Sequence, residues 1–147
     1  MGRILALDYG RKRTGVAVTD PLQLIANGLE TVETHHLEVF LENYLGKETV
    51  DVIVVGLPRQ MNNTPSESYT YIKPFVEKLR KKHPEINIEW VDERFTSKIA
   101  QRAIIEGGVK KSDRRDKGLV DRVSATVILQ SYLESRDIFQ HRTNATL

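Results

Sequence analysis

The sequence predicts an α/β fold built on a mixed five-stranded sheet, in which three antiparallel strands are followed by two parallel strands and helices cover both faces. Two observations predict this order. The chain opens with three strand-like segments joined by short links, which is typical of an antiparallel meander. Two further apolar strands each follow a helical pattern, and strands connected through helices pair in parallel by right-handed crossovers.

The first strand is the apolar segment 4–7, which leads into Asp8 and is followed by Gly10. Its continuous apolar character indicates burial on both faces. A second strand over residues 14–19 returns antiparallel to the first, after a short basic turn. Residues 25–34 alternate between apolar and polar side chains and predict the third strand.

The later elements follow from helical spacing, apolar runs and turn residues. In order, they are a helix over 36–46, a central strand over 51–56, a helix from 66 to about 82, a strand over 86–92, a helix over 96–107 and a last helix over about 118–135. Pro74 lies inside the second of these helices, and we expect it to kink or split that helix.

Composition excludes several classes of protein. The 147 residues include no cysteine, which excludes disulfides, thiol catalysis and cysteine-based zinc sites. No apolar run approaches the ~20 residues needed to cross a bilayer, so we expect a soluble, cytoplasmic protein without a membrane partner. The length fits one domain, which we assign to residues 1–135, and residues 136–147 are expected to form a flexible tail.

Three carboxylates are expected to converge at the carboxyl ends of the parallel strands, where ligands collect in such sheets. Asp8 and Glu93 follow the first and fifth strands, and Asp121 shares a helix face with Ser124 and Ala125. Each has a simpler alternative. Asp8 can cap the turn to Gly10, Glu93 can pair with Arg94, and Asp121 can stabilise a helix N-terminus.

A divalent cation would relieve the repulsion among three adjacent carboxylates. Oxygen ligands suit Mg²⁺, so the expected cofactor is Mg²⁺ or Mn²⁺. Such a site predicts a hydrolase, an endonuclease that cleaves phosphodiester bonds without a covalent nucleophile. In this interpretation Asp8, Glu93 and Asp121 are both the catalytic residues and the metal ligands.

Basic residues cluster around these carboxylates, most densely over 110–117, and indicate a polyanionic partner. The simpler alternative is a solvated loop. The residues predicted to bind nucleic acid are Gly10, Arg11, Arg59, Arg94, Lys110, Lys111, Arg114, Arg115 and Lys117. Exposed aromatic residues do not cluster along the sequence, and Tyr9 and Phe95 are the only candidates near the site. His35 and His36 are interpreted as a surface pair at a helix start.

Four motifs in order resemble the bacterial YqgF family of RuvX-like proteins. They are Asp8-Tyr9-Gly10, Gly56-Leu57-Pro58, Asp92-Glu93-Arg94, and the last-helix pattern from Lys117 through Asp121, Ser124 and Ala125 to Leu129. The resemblance implies an RNase H-like fold and 5′-end maturation of pre-16S rRNA during ribosome biogenesis, with Asp8, Glu93 and Asp121 at the acidic catalytic positions. The sequence departs from the family pattern after Pro58, where Gln60-Met61-Asn62-Asn63 replaces an Asn-Met-Asp-Gly-like run.

Other functions stay open on sequence alone. The same fold can cleave branched DNA as a Holliday junction resolvase, or bind nucleic acid without catalysis, for example on ribosomal particles. A relative of the sugar or acetate kinases would share the Asp-x-Gly turn, but that fold needs a second domain to enclose ATP. The expected substrate is a structured RNA precursor, with branched DNA as the alternative, and the expected state is a monomer or weak homodimer.

Overall fold

The computed structural model of the chain describes residues 2–57, 69–92 and 117–145, and within the last range it describes the side chains of 122–136. Five strands form one sheet: β1 (Arg3–Tyr9), β2 (Arg13–Thr19), β3 (Ala26–Glu33), β4 (Val50–Leu57) and β5 (Asn87–Asp92). The helices within these ranges are α1 (Leu37–Lys47), which follows a 3₁₀ turn at Thr34–His36, α2 (Tyr69–Lys82) and α3 (Lys117–Ala145).

The strands are arranged in the order β3-β2-β1-β4-β5. β1 pairs antiparallel with β2, and β2 pairs antiparallel with β3. β4 pairs parallel with both β1 and β5. The predicted mixed sheet is therefore confirmed, with the apolar first strand at its centre.

Side chains of β1 alternate between two separate apolar cores. Leu5 and Leu7 belong to the core that α1 and α2 complete through residues such as Leu41 and Val76. Ile4 and Ala6 belong to the second core, which α3 completes with Ala125, Ile128, Leu129 and Leu133. The four β1 residues are at most 1% exposed. Because successive side chains of a strand point to opposite faces, one apolar segment anchors helices on both sides of the sheet.

Two helices bear on the sequence-based predictions. Of the kink or split expected at Pro74, the split is excluded, because the proline removes a single backbone donor while Ile72 and Val76, each 1% exposed, hold the turns on either side in the core. The kink stays a prediction. α3 continues to Ala145, ten residues past the expected end, and residues 119–145 contain neither glycine nor proline to stop it.

Two predictions about architecture, the helix over 96–107 and the boundary of the domain, stay predictions. The helix predicted over 96–107 lies outside the described residues. The division into a domain over 1–135 and a flexible tail over 136–147 stays a prediction. None of the described helices combines the length and the apolar character needed to cross a membrane.

Candidate active site

Asp8 lies near the carboxyl end of the central strand, on the face that α3 covers. It follows Ile4 and Ala6 on the same side of β1, and both of those residues pack in the core completed by α3. It pairs with Gly15 of β2, and its neighbour Leu7 pairs with Val55 of β4. The apolar packing of this face ends at Asp8, whose side chain is partly exposed. Asp8 is thus at the boundary between the core and solvent.

The ends of β4 and β5 lie beside this position. Leu57, the last residue of β4, pairs with Asp92, the last residue of β5. On β5, Val91 packs against the α3 core, whereas Trp90 packs against the core of α1 and α2. Glu93 follows Asp92 directly and lies outside the described residues.

α3 is antiparallel to β1, so its first turns point towards the carboxyl end of that strand. Arg122, near the start of α3, lies against Gly28 of β3, where an added Cβ atom would be 3.4 Å from Arg122 Cβ. Gly28 pairs with Ala17 of β2, which in turn pairs with Ala6 of β1, so Arg122 is at the height of Ala6 in the sheet. Further along α3, Arg136 donates a 2.8 Å hydrogen bond to Gln23 Oε1, and Gln23 Nε2 donates to Gly2 O at the start of β1. From Arg122 to Arg136 the helix therefore approaches the amino end of β1.

Tyr132 fixes α3 against β5. Its hydroxyl donates a 2.7 Å hydrogen bond to Glu89 Oε2. Burial, together with this bond to a carboxylate, raises the pKa of Tyr132 to about 12, so the hydroxyl remains a donor at neutral pH. Asp121 lies four residues before the fully buried Ala125, on the same face of the helix backbone.

The turn between β1 and β2 carries the basic residues nearest Asp8. Gly10 is required there because a Cβ atom would clash with the carbonyl oxygen of Arg13. Arg11 is exposed beside it. The clash, rather than an unusual backbone angle, explains the glycine, because the structure records no glycine with positive φ in the described part of the chain.

Thr34 holds this turn in place and was not predicted from the sequence. Its hydroxyl donates a 2.6 Å hydrogen bond to Gly10 O and lies 3.0 Å from the hydroxyl of Thr14. Its backbone N–H donates a 2.9 Å bond to Lys12 O. Threonine directly after an alternating strand is the only sequence signal for this role, and many threonines in strands share it.

Aromatic residues gather on the opposite face at the same end of the sheet. The Tyr9 ring lies 4.8 Å from Phe75 and 6.0 Å from Tyr71, centroid to centroid, and the Arg11 guanidinium lies 4.9 Å from the Tyr71 centroid. Burial raises the pKa of Tyr9. The expectation that Tyr9 and Phe95 are the only aromatic candidates near the site is therefore wrong, because α2 adds Tyr71 and Phe75.

Within the described residues, one group offers three potential metal-binding side chains close together. Glu33, His35 and His36 have ligand atoms within 4.8 Å of one another, and all three residues are exposed. Glu33 Oε2 lies 3.3 Å from His35 Nε2 and 3.6 Å from His36 Nδ1. The predicted surface position of the two histidines is confirmed, and both rings contact Glu33.

The predicted site residues are thus described to different degrees. The structure places Asp8, Gly10 and Arg11 together at the end of β1. It places Lys117 and Asp121 on the backbone of the first turns of α3, and their side chains are outside the described set. The remaining predicted residues lie outside the described ranges: Arg59, Glu93, Arg94, Lys110, Lys111, Arg114 and Arg115.

Comparison with known proteins identifies the family. Residues 2–135 match the family model named RuvX, which carries the description Holliday junction resolvase. The chain belongs to the RuvX family. The family resemblance inferred from the four sequence motifs is confirmed.

Curated relatives of this RuvX-family chain match over nearly their whole length. A protein of Phocaeicola vulgatus is 62% identical over 136 residues, covering 92% of this chain and 98% of the relative. A protein of Porphyromonas gingivalis is 61% identical over 137 residues, covering 93% and 99%. A protein of Bacteroides thetaiotaomicron is 60% identical over 136 residues, covering 92% and 99%. All three bear the name "Putative pre-16S rRNA nuclease".

Solved structures show the same fold at low sequence identity. RuvC of T. thermophilus, solved in complex with a Holliday junction substrate, matches with a TM-score of 0.58 at 12% identity over 92% of this chain and 96% of that chain. The Fowlpox virus resolvase, solved with junction DNA, matches with a TM-score of 0.52 at 18% identity over 90% and 99%. The predicted RNase H-like fold class is confirmed by the likeness to RuvC.

Proposed function

We propose that this RuvX-family chain is a metal-dependent endonuclease that matures the 5′ end of pre-16S rRNA. The observation that carries the proposal is the full-length match to relatives of about 60% identity that bear the name of a pre-16S rRNA nuclease. The position of Asp8 supports it. A partly exposed carboxylate follows a fully buried central strand, at the sheet edge where α/β folds bind their ligands.

The proposed metal ligands are Asp8, Glu93 and Asp121. Two features of the described chain fit such a site. Glu89 and Val91 lie on the side of β5 that contacts α3, and alternation continued by two residues would direct Glu93 to the face of Asp8. The start of α3 points towards the same end of β1, and Asp121 is one helical turn before Ala125. Carboxylate oxygens are the ligands that Mg²⁺ and Mn²⁺ prefer.

Bound there, the divalent cation would stabilise negative charge that develops on the phosphate oxygens during hydrolysis. The chain's own cations bind and orient the substrate. Arg11 is exposed one residue beyond Gly10, at a position from which its guanidinium can donate hydrogen bonds to a backbone phosphate. We assign the same role to the other basic residues predicted from the sequence, from Arg59 to Lys117. Binding through phosphates fixes position, while the shape of the RNA determines where the bond is cut.

A second candidate function is cleavage of branched DNA. The description of the RuvX family as Holliday junction resolvase favours it. Both functions need the same hydrolytic chemistry, and they differ in the nucleic acid that the surface around the carboxylates accepts. We propose the RNA substrate first because curated relatives of about 60% identity bear the name of a pre-16S rRNA nuclease. We also propose that the protein acts in the cytoplasm, on ribosomal precursor particles, as a monomer or weak homodimer.

Cleavage assays on wild-type protein and Asp8→Asn test the proposal. Each protein is incubated with a 5′ fragment of pre-16S rRNA and, separately, with a four-way DNA junction, in Mg²⁺, Mn²⁺ or a chelator. Asp8→Asn preserves the shape of the side chain and removes its charge, so cleavage should fall by at least about 100-fold, the magnitude typical of lost electrostatic stabilisation. Asp51→Asn is the matched control, because Asp51 lies at the start of β4, at the end of the sheet away from Asp8. The amide oxygen of the introduced asparagine can still accept the hydrogen bond from Gly2 N.

The outcomes separate the candidates. RNA cleavage that needs metal and Asp8 supports the proposal, and cleavage of the junction alone replaces it with the resolvase. RNA bound but uncut under every condition contradicts nuclease activity and leaves a binding module.

A further inference from the structure

We propose that the cleft formed by Tyr9, Arg11, Thr70 and Tyr71 binds an unpaired nucleotide of the RNA strand next to the scissile phosphate. The inference rests on the proposed function, because it assigns a second contact to the same substrate. It concerns the face of the sheet opposite Asp8. The sequence predicts Arg11 as a nucleic-acid contact and offers Tyr9 as an aromatic candidate near the site, whereas Thr70 and Tyr71 come from the structure alone.

The cleft is a shallow depression that is largely open to solvent. Its volume of about 430 Å³ leaves room for one base, with one side of the base still exposed. Tyr9 and Tyr71 are partly exposed, and Arg11 and Thr70 are exposed. Tyr9 is seated on Phe75 at 4.8 Å, so its ring is supported from below by the core. The Tyr9 ring therefore has core packing behind the face that it presents to solvent.

The lining combines the two features that bind single-stranded nucleic acid. Aromatic rings offer faces for base stacking, and a cation near the rings attracts the phosphate backbone. Arg11 provides that cation and already lies over the Tyr71 ring at 4.9 Å. Lys12 and Arg13 extend the positive charge along the same turn. An apolar peptide would find no counterpart for this charge, whereas a polyanion with flat bases satisfies both features.

Position links the cleft to the proposed catalytic carboxylate. Asp8 and Tyr9 are consecutive residues whose Cα atoms are ~3.8 Å apart, and their side chains point to opposite faces of β1. A strand whose phosphate lies at Asp8 can therefore place a neighbouring nucleotide in the cleft by passing over the end of β1 at Gly10. A base in a duplex is stacked and paired, so only an unpaired base can enter.

Binding in the presence of a chelator tests the inference without requiring catalysis. The probe is a short single-stranded RNA that contains 2-aminopurine, whose fluorescence falls when it stacks, and the comparison is the blunt RNA duplex of the same sequence. Tyr71→Ala should bind the single strand at least about fivefold more weakly and lose the quenching, given the usual energy of base–aromatic stacking. Tyr71→Phe, which keeps the ring, should bind within about twofold of wild type.

Two further variants separate stacking from stability and charge. Tyr44→Ala is the matched control, because Tyr44 is another partly buried tyrosine packed on the core of α1 and α2, next to Phe40 at 6.2 Å, and it should bind RNA as wild type does. Arg11→Lys keeps the charge and should retain the salt dependence of RNA binding. Arg11→Ala should reduce by about one the slope of the logarithm of the binding constant against the logarithm of the salt concentration.

Equal affinity and equal quenching in Tyr71→Ala and Tyr44→Ala would overturn the inference. So would a loss of affinity for the duplex in Tyr71→Ala as large as the loss for the single strand. Both results leave the nuclease proposal intact, because that proposal is judged by metal-dependent cleavage. Conversely, loss of quenching in Tyr71→Ala alone supports the cleft even if no RNA is cut.

Discussion

Removing the hydroxyl of Thr34 should destabilise the turn that carries Arg11. The hydroxyl donates to Gly10 O at 2.6 Å, so the hydroxyl of Thr14, 3.0 Å away, must donate to Thr34 Oγ1. Thr34→Val breaks both bonds while keeping a β-branched side chain. Each neutral hydrogen bond contributes about 1 kcal/mol net, and Thr14 is 0% exposed, so its hydroxyl would be left without a partner.

The free energy of unfolding should therefore fall by about 2 kcal/mol. For a chain of this length that corresponds to a decrease in Tm of roughly 4–8 °C, measured by circular dichroism or calorimetry. The expected loss should also appear as weaker RNA binding, since Gly10 and Arg11 share the turn. Thr34→Ser restores the hydroxyl and should recover most of the loss.

Thr49→Val is the matched control, since Thr49 is exposed and its hydroxyl makes no hydrogen bond in the part of the chain that the structure describes. A Tm for Thr34→Val equal to that of Thr49→Val would refute the reasoning. So would a loss in Thr34→Ser as large as that in Thr34→Val, because the effect would then come from the methyl group.

Two other predictions concern the core and the pH dependence of stability. Substituting Leu129 by alanine should lower the free energy of unfolding by about 2–5 kcal/mol, measured by urea unfolding, because Leu129 is 0% exposed between α3 and the sheet. His83 Nε2 lies 2.7 Å from Glu42 Oε1, and this hydrogen bond raises the pKa of His83. Because the folded pKa exceeds the unfolded one, the stabilisation is complete below about pH 6.5 and is lost as the pH rises through the raised pKa. His83→Gln should weaken the pH dependence of stability, measured as urea midpoints at pH values below and above the pKa of His83. A pH dependence equal to that of wild type would show that the His83–Glu42 hydrogen bond is not its cause.

The sequence predicted those parts of the fold that depend on local pattern. The apolar run before Asp8 and the short links to the next two strands were sufficient for the meander, and the chain's helical patterns implied the parallel strands. The predicted end of α3 at Ser135 is wrong, because no glycine or proline stops the helix before Ala145. Of the two outcomes expected at Pro74, the split does not occur, because core contacts of Ile72 and Val76 outweigh one lost hydrogen bond.

The candidate site was predictable only in part, for a related reason. Asp8, Gly10 and Arg11 are neighbours in sequence, so their proximity follows from the strand and its turn. Tyr71 is 62 positions from Tyr9, and the packing of α2 beside the end of β1 is a tertiary contact that no local pattern reports. Thr34 is 20 positions from Thr14, and its role depends on the register of β2 and β3.

The side chains at the end of β1 point alternately to the two faces of the sheet, and this restricts the path of a bound substrate strand. Asp8 faces the α3 side and Tyr9 the α2 side, so a strand that contacts both residues cannot stay on one face of the sheet. The direct crossing passes over the carboxyl end of β1 at Gly10, where a side chain is absent and where a Cβ atom would clash with Arg13 O. A continuous A-form duplex is too broad to bend around one strand end, whereas a single strand can turn there. The geometry of β1 therefore favours cleavage at an unpaired or frayed position over cleavage within a regular helix.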